Sequence, residues 1–363
     1  MALTTVDQGL LGTYAQYTGF KNRIINGNMT IDQRNAGASV TPTTDNTFTL
    51  DRWSAGLTQA SKFSVQRSTT AATGFSNSLL ATSLSAYSVG SGDAFLVSQN
   101  IEGFNVADLG WGTASAQTVT LSFWVRSSLT GTFGGVVANS AANRSYPFSY
   151  TISAANTWEQ KAVTIAGDTT GTWLTDNSTG MRVRFSLGAG STYSGTAGAW
   201  AGSTLFSATG ATSVVGTSGA TFYITGVQLE AGSVASPFER RDYGRELMMC
   251  QRYYWRWTSA NNSYIYLSTA GRAYSTTNGT ITINHPAPMR TAPTMNNSNN
   301  FAAGNWDYAV SAININNGGY AAFPHTIANL NITGTFPGAE RIFALGSGSS
   351  TSTTIWVDFS AEL

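Results

Sequence analysis

The chain has little lysine, histidine, cysteine or charge. Of its 363 residues two are histidines and one is a cysteine, and only three of the nineteen basic residues (Lys21, Lys62, Lys161) are lysines. With Cys250 alone, an internal disulfide and a thiolate-rich metal site are both excluded. Its apolar helical position reads as that of an inert, buried thiol. Charged residues make up 10% of the chain and the formal net charge is +1, too weak a field to gather a phosphate backbone, so nucleic acid is excluded as a partner. No run of about 18 apolar residues occurs, and the first 20 residues lack the basic and apolar regions of a secretory signal. The expectation is a protein made in a cytoplasm without membrane insertion.

Catalytic text is also missing. His285 and His325 stand beside prolines, far apart in the chain, and there is no nucleophile elbow, HExxH helix, phosphate-cradling glycine loop or EF-hand loop. The eighteen acids are scattered: Asp32, Asp51 and Glu230 read as strand-end residues, and Glu239 and Glu246 flank arginines. The reading is therefore not an enzyme, with no cofactor and no metal. Hydrolysis of a glycan by paired carboxylates is the catalytic rival.

What the chain has is glycine, serine, threonine, asparagine and 12% aromatics, the composition of short strands joined by turns. Val119, Leu121, Phe123 and Val125 alternate with Thr120, Ser122, Trp124 and Arg126, which predicts a strand with one apolar face. The same pattern recurs over 146–152, where Pro147 marks a sheet edge, and over 181–187. Strands are further expected at 48–53, at 222–230 and around the Asn26-Gly27 turn signal in 23–32. Residues 188–220 are nearly all small, with Tyr193, Trp200, Leu205 and Phe206 as anchors. They form either a functional loop or a cover over a sheet edge.

These signals predict a mainly β chain: a short N-terminal segment (1–22), an antiparallel β-sandwich (23–236), a short connector helix (237–257) and a smaller C-terminal β-sandwich (258–363); the resemblances given below imply that the first is an anchor segment and the second a jelly roll. Val6, Leu10, Leu11 and Tyr14 share one helical face in the first segment, which either orders against a partner chain or is a frayed tail. The helix is expected over about 243–254, and Asn317-Gly318-Gly319 reads as a hairpin between late strands.

Carbohydrate binding needs aromatic faces and planar hydrogen-bonding groups. The alternation sets Trp124, Arg126, Arg182 and Arg184 off the core face, and Trp306, Tyr308 and Tyr320 lie in Asn/Gly-rich turn text, so these seven are the glycan-binding candidates. Arg240, Arg241, Arg245, Tyr254 and Trp257 are expected at inter-chain or inter-domain contacts, because arginine makes multidentate bonds that lysine cannot.

FYITGVQLE (222–230), Asn26-Gly27, Leu121-Ser122-Phe123-Trp124-Val125 and Asn156-Thr157-Trp158-Glu159 together resemble carbohydrate-binding-module jelly rolls. In that family an NGxFE first strand and an FYIDDVxLE last strand lie together and contribute to a calcium site. Here Thr30 stands in place of the glutamate, and Thr225-Gly226 replaces the acids. NRIINGNMTIDQRNAG (22–37), Asp51-Arg52-Trp53, GVQLEAGSVASPFERRDYGRELMMCQRYYW (226–255) and Met289-Arg290-Thr291-Ala292-Pro293 resemble the tail-fibre and receptor-binding proteins of tailed bacteriophages. That resemblance implies a homotrimeric virion tail component. It would join other tail proteins through its N-terminal segment and bind a bacterial surface carbohydrate through its distal domain. A structural adaptor or decoration protein, and a depolymerase, are the alternatives.

Overall fold

The computed structural model describes residues 20–259, 266–298, 301–305, 308–323, 327–336, 341–346 and 355–363. The expected attachment segment lies almost wholly outside these residues, as do Trp306 and His325. The chain divides after Asp242 into two compact units, Leu363 counting with the first. The connector expected over 237–257 is thereby split. Residues 237–242 belong to the first unit, and the helix to the second.

The first unit is a β-sandwich. Its strands are β1 (Thr47–Leu50), β2 (Trp53–Leu57), β3 (Phe63–Ser68), β4 (Ser78–Ser83), β5 (Ala94–Glu102), β6 (Val119–Ser127), β7 (Gly131–Asn139), β8 (Ser145–Ile152), β9 (Glu159–Ile165), β10 (Thr179–Ala189), the short pair β11 (Ser194–Gly195) and β12 (Ser207–Ala208), and β13 (Thr221–Ala231). One sheet runs β1-β2-β5-β10-β7-β8 and the other β3-β4-β13-β6-β9, antiparallel throughout, with β8 on an edge as Pro147 predicts. Period-two alternation drives one side chain set of each strand into a shared core. There Phe123 meets Phe185 edge-on at 5.0 Å and Tyr150 at 4.9 Å, and Trp53 lies 6.5 Å from Phe185. Residues expected as one strand at 48–53 instead form a hairpin, β1 and β2, turning at Asp51-Arg52, where Arg52 takes φ +69°.

Residues 23–32 are not a strand. Asn26 and Met29 both have positive φ, which a β ladder cannot accommodate, and side chains take over the backbone hydrogen bonds. Asn26 Nδ2 donates to the carbonyls of Ile31 and Asp51, its Oδ1 accepts from the Ile31 amide, and Trp53 Nε1 donates to its carbonyl. The Gln99 amide brackets Ile25 in the same way, bonding to both its N–H and its C=O. The two sequence motifs around Asn26 and Asp51-Arg52-Trp53 thus form one buried polar network.

This segment also closes the sandwich. Arg23 N–H donates to Leu229 O (2.9 Å), Asn22 Nδ2 to Val227 O (3.0 Å) and Val227 N–H to Gly27 O (2.9 Å). A Cβ at Gly27 would lie 2.2 Å from the Val227 carbonyl oxygen, so only glycine admits this approach. Gly226, at φ +61°, makes the bulge in β13 that turns Val227 toward the segment. Arg241 then clamps the outside, bonding to the carbonyls of Asn22 and Ile24 and to Glu239 at 3.1 Å.

In the second unit, α1 (Tyr243–Gln251) ends three residues earlier than expected, because Tyr254 opens β14 (Tyr254–Thr258). Cys250 is buried, as its helical position predicts. There follow β15 (Tyr266–Ala273), β16 (Asn278–Asn284), β17 (Thr294–Asn297), β18 (Phe301–Asn305), β19 (Tyr308–Phe323), β20 (Ile327–Thr333), β21 (Arg341–Gly346) and β22 (Trp356–Ser360). Strands β14, β22 and β17 form a three-stranded sheet, and β15-β16-β20-β19-β18-β21 close into a barrel. The mainly β, antiparallel expectation for this end holds, with the larger sheet closed on itself where two open sheets were expected. Asn317-Gly318-Gly319 do not turn a hairpin but lie inside β19, at the register shift between Asn316 and Ala321. Glycines there serve a bend in a long barrel strand.

His285 is sealed in this unit, its Nδ1 accepting from Trp255 Nε1 at 2.8 Å, and burial pushes its imidazolium down to about 4. An unfolded histidine titrates near 6.5, so on acidification the unfolded chain takes up the proton first. The second unit is therefore expected to lose up to about 3 kcal/mol between pH 6.5 and 4, a loss that His285→Gln removes from the pH dependence of its melting temperature. A wild-type melting curve flat over that interval contradicts this. In the first unit, Arg241→Ala strands two backbone carbonyls and is expected to cost about 2–4 kcal/mol in urea unfolding. An unchanged unfolding midpoint would remove the clamp from the account.

Candidate functional site

The outward residues of the two sheets fall on opposite sides of the sandwich. Trp124 and Arg126 project from β6 on the five-stranded sheet, where Arg126 lies over the Tyr223 ring (5.0 Å) and donates to Asn156 O, and Trp158 packs on Tyr223 at 6.1 Å. Arg182 and Arg184 project from β10 on the six-stranded sheet. The four first-unit candidates therefore make two separate surfaces, because β6 and β10 belong to facing sheets whose outer sides look apart.

Residues 188–220 form a cover, one of the two readings that the sequence left open. They cross the outer face of the six-stranded sheet: β11 pairs with β12, Ala201 bridges to Ser145 on the edge strand, and Leu205 packs on Val136 and Ala138. The segment is pinned by Trp200, whose Nε1 donates to Ala166 O at 2.9 Å and whose ring meets Trp111 and Trp173 at 5.4 and 5.6 Å. Arg144 completes this corner through a two-bond pair with Asp168, both at 2.7 Å. Burial alone would raise the Asp168 carboxyl, but the bonds from Arg144 and Thr170 outweigh it and hold it below the usual carboxylate range. The cover reaches only the β7 and β8 side. Where it stops, Phe206 stands beside a cleft of about 290 Å³ over β2, β5 and β10.

Arg182, Arg184, Ser98, Asn100, Asp45 and Phe206 line this cleft. The β-ladder sets them there: Arg182 pairs with Asn100, and Arg184 with Ser98, whose hydroxyl lies 3.1 Å from that of Ser54. The Arg184 guanidinium lies 4.8 Å from the Phe206 ring centre, and Phe206 packs on Tyr193 at 4.7 Å. Burial, and then repulsion from Arg182, pull Arg184 down to about 10 against the attraction of Asp45, so it stays charged at neutral pH. Burial likewise lowers Arg182, with Asp45 opposing. Asp45 itself accepts the Leu57 amide at 2.9 Å. Sequence alternation identified the two arginines. Asp45, Ser98, Asn100 and Phe206 were missed, since turn text and ordinary strand serines carry no signal of what they will face.

The remaining candidates have other places. Tyr308 opens β19 and Tyr320 lies within it, in a strand and not in turn text. Arg240 lies over Phe75 at 4.9 Å and Phe238 at 6.0 Å, so it and Arg241 make contacts inside the first unit where inter-chain or inter-domain contacts were expected. Tyr254 Oη donates to Asp358 Oδ2 (3.1 Å) and Trp257 stacks on Phe301 (6.4 Å), both inside the second unit, because β14 turns them into its own sheet. Arg245 is exposed on α1.

The calcium site of carbohydrate-binding-module jelly rolls does not fit these residues. The Thr30 carbonyl accepts from the Arg67 guanidinium at 2.8 Å, and the Thr225 hydroxyl is committed to Asn77 O at 2.7 Å. A guanidinium and a spent hydroxyl stand where hard anionic oxygens are required.

No family model matches the chain, and no curated protein does. Among solved structures it is similar to the enzymatically active domain of tailspike protein 4 of bacteriophage CBA120, at 14% identity and TM-score 0.33, over 58% of this chain and 21% of that one. It spans about a fifth of that tailspike chain. It is also similar to a putative sugar-binding protein of Bacteroides thetaiotaomicron (11% identity, TM-score 0.36, 58% of this chain and 100% of that one). A third likeness is to a carbohydrate-binding module of family 61 in complex with β-1,4-galactotriose (11%, 0.30, 58% and 99%).

Proposed function

We propose that this chain is a non-catalytic glycan-binding protein of a bacteriophage tail, a tail-fibre or receptor-binding component working as a homotrimer on the virion. The observation that carries the binding reading is the cleft on the six-stranded sheet, where Arg182, Arg184, Asn100 and Ser98 present planar and hydroxyl hydrogen-bonding groups beside the Phe206 ring. Sugars are recognised by such a set: several directed polar groups for the hydroxyls and an aromatic surface for the ring's apolar face. The strands beneath are rigid and the groups are held in register by the ladder, so little ordering is required on binding.

Catalysis is disfavoured by the same lining. Glycoside hydrolysis uses two carboxyl side chains across the scissile bond, and among the described residues lining the cleft Asp45 is the one acidic side chain. The phage assignment rests on the sequence motifs at 22–37 and 226–255, which in this fold are the pieces that close the sandwich and lead out of it. The homotrimer and the attachment of the N-terminal segment to other tail proteins follow from that resemblance.

The purified protein is expected to bind bacterial surface polysaccharide on a glycan array, with Asn100→Ala and Arg182→Gln each weakening binding about tenfold. No new reducing ends should appear on prolonged incubation. Binding to virion components with no glycan signal would make the chain an adaptor, and released reducing ends would make it a depolymerase. Light scattering should report three times the 38.3 kDa chain mass, and a 38.3 kDa particle rejects the trimer.

A further inference from the structure

We infer that the cleft takes a negatively charged sugar, its oxyanion seated on Arg182 and Arg184. The inference rests on the reading of the cleft as a glycan site and names the class of glycan. Arg184 is 7% exposed, yet it makes no hydrogen bond and no ion pair; its recorded partners are the Phe206 ring and the field of Arg182 and Asp45. Its Nη1, and Nε of Arg182, are closed off from solvent with no acceptor. Arg23 and Arg241 also have a sealed Nε without an acceptor, but each of these buried guanidiniums still bonds through its other nitrogens, Arg23 to Asp108 and Asn105 and Arg241 to Asn22 and Ile24, as the less buried Arg144 does to Asp168. The cleft pair departs from that rule.

Two guanidinium groups two residues apart on one strand face, with Cα atoms ~7 Å apart, repel each other in a partly desolvated site. A bound oxyanion relieves the repulsion and accepts from the guanidinium nitrogens open to the cleft, Nε and Nη2 of Arg184 and both Nη atoms of Arg182, while the two sealed nitrogens stay out of its reach. The Phe206 ring packs against the Arg184 guanidinium at 4.8 Å and limits its movement, and a guanidinium's fork of N–H groups suits a planar or tetrahedral oxyanion. Asp45 does not fill this role. Its Oδ1 is taken by the Leu57 amide, the Leu363 oxygen that also lines the cleft accepts from Asn100 Nδ2 at 2.9 Å, and neither residue forms an ion pair with either arginine. Opposite the arginines on β5, Asn100 Nδ2 donates to Leu363 O and the Ser98 hydroxyl pairs with that of Ser54, which leaves Asn100 Oδ1 and the remaining capacity of the Ser98 hydroxyl for the neutral hydroxyls of the same sugar. Carboxylate and phosphate share the required chemistry, and the test separates them.

The full-length protein, with its arginine side-chain Nε–H resonances observed by NMR, is titrated with methyl glucuronide, with glucose 6-phosphate and with methyl glucoside. Saturable shifts of the Arg182 and Arg184 signals are expected with one or both anions, at affinities at least about tenfold above the neutral glucoside, as charge-assisted bonds require. Which anion wins assigns a uronic-acid-type or a phosphate-bearing glycan. Arg182→Gln should erase the preference and Arg182→Lys restore part of it. Arg182 is half-buried and lies outside the core, so the test does not depend on whether an Arg184 variant folds. Equal binding of the three probes, or no saturable shift with either anion, overturns the inference. If neutral polysaccharides bind on the array while both anions fail, the glycan reading stands and the charge class falls. If the anions bind and no polysaccharide does, the anion site stands and the glycan reading falls.

Discussion

Asn22 is where the two ends of the first unit are tied together. Its side chain reads one edge of the last strand, donating to Val227 O and accepting the Leu229 amide, while Oδ1 also accepts the Ile24 amide and its backbone N–H reaches Glu239. The three bonds of the Asn22 side chain are buried, so each of those groups would be expensive to leave unpaired. The tie spans some 205 residues of chain. A sandwich whose first and last segments must meet pays a large loop-closure entropy, and a saturated polar network at the junction is what makes the meeting specific. Arg241 and Glu239, at the exit from the last strand, close over it. The junction holds the last strand in the middle of its five-stranded sheet, and that sheet supports the core on which the opposite sheet is packed.

From that arrangement the position of the cleft follows. A jelly-roll sandwich has two outer faces, and here they are treated differently. On the five-stranded sheet, Trp124 and Arg126 sit beside Tyr223 and Trp158, with Arg126 and Trp158 packed on the Tyr223 ring. On the six-stranded sheet a small-residue crossing covers one half, anchored by Leu205 and Trp200, and leaves the other half as a polar cleft. The crossing can lie flat on the sheet because it is made of glycine, alanine, serine and threonine. Gly134, for example, admits Ser207 at a distance a Cβ would not allow. One buried and one half-buried guanidinium, Arg184 and Arg182, then stand together in the uncovered half, where burial disfavours the charge of both.

The elements legible in advance were those with long alternation, 118–126, 146–152, 181–187 and 222–230, because a period of two survives whatever the strand later packs against. Residues 23–32 misled because an Asn-Gly pair between β-branched residues is equally compatible with a hairpin and with an irregular segment held by side-chain amides. Asn317-Gly318-Gly319 misled for a related reason: glycine permits reversal and bending alike, and only barrel closure chose bending. Arg240 and Arg241 carried the right chemistry with the wrong partners. Multidentate donors were expected, but the nearest acceptors and rings turned out to be the chain's own Asn22, Ile24 and Phe75.

By itself the sequence determined the mainly β class, the antiparallel sandwich, the edge position of Pro147, the buried Cys250 and the outward direction of Arg182 and Arg184. All of these depend on local periodicity or on the properties of single residues. Only the tertiary structure decided that Asp45, Ser98, Asn100 and Phe206 join those arginines, and that Trp124 and Arg126 do not. Which residues share a cleft depends on strand order and on where a distant loop lands. Those are set by the summed packing of two sheets, and no local stretch of the chain encodes them.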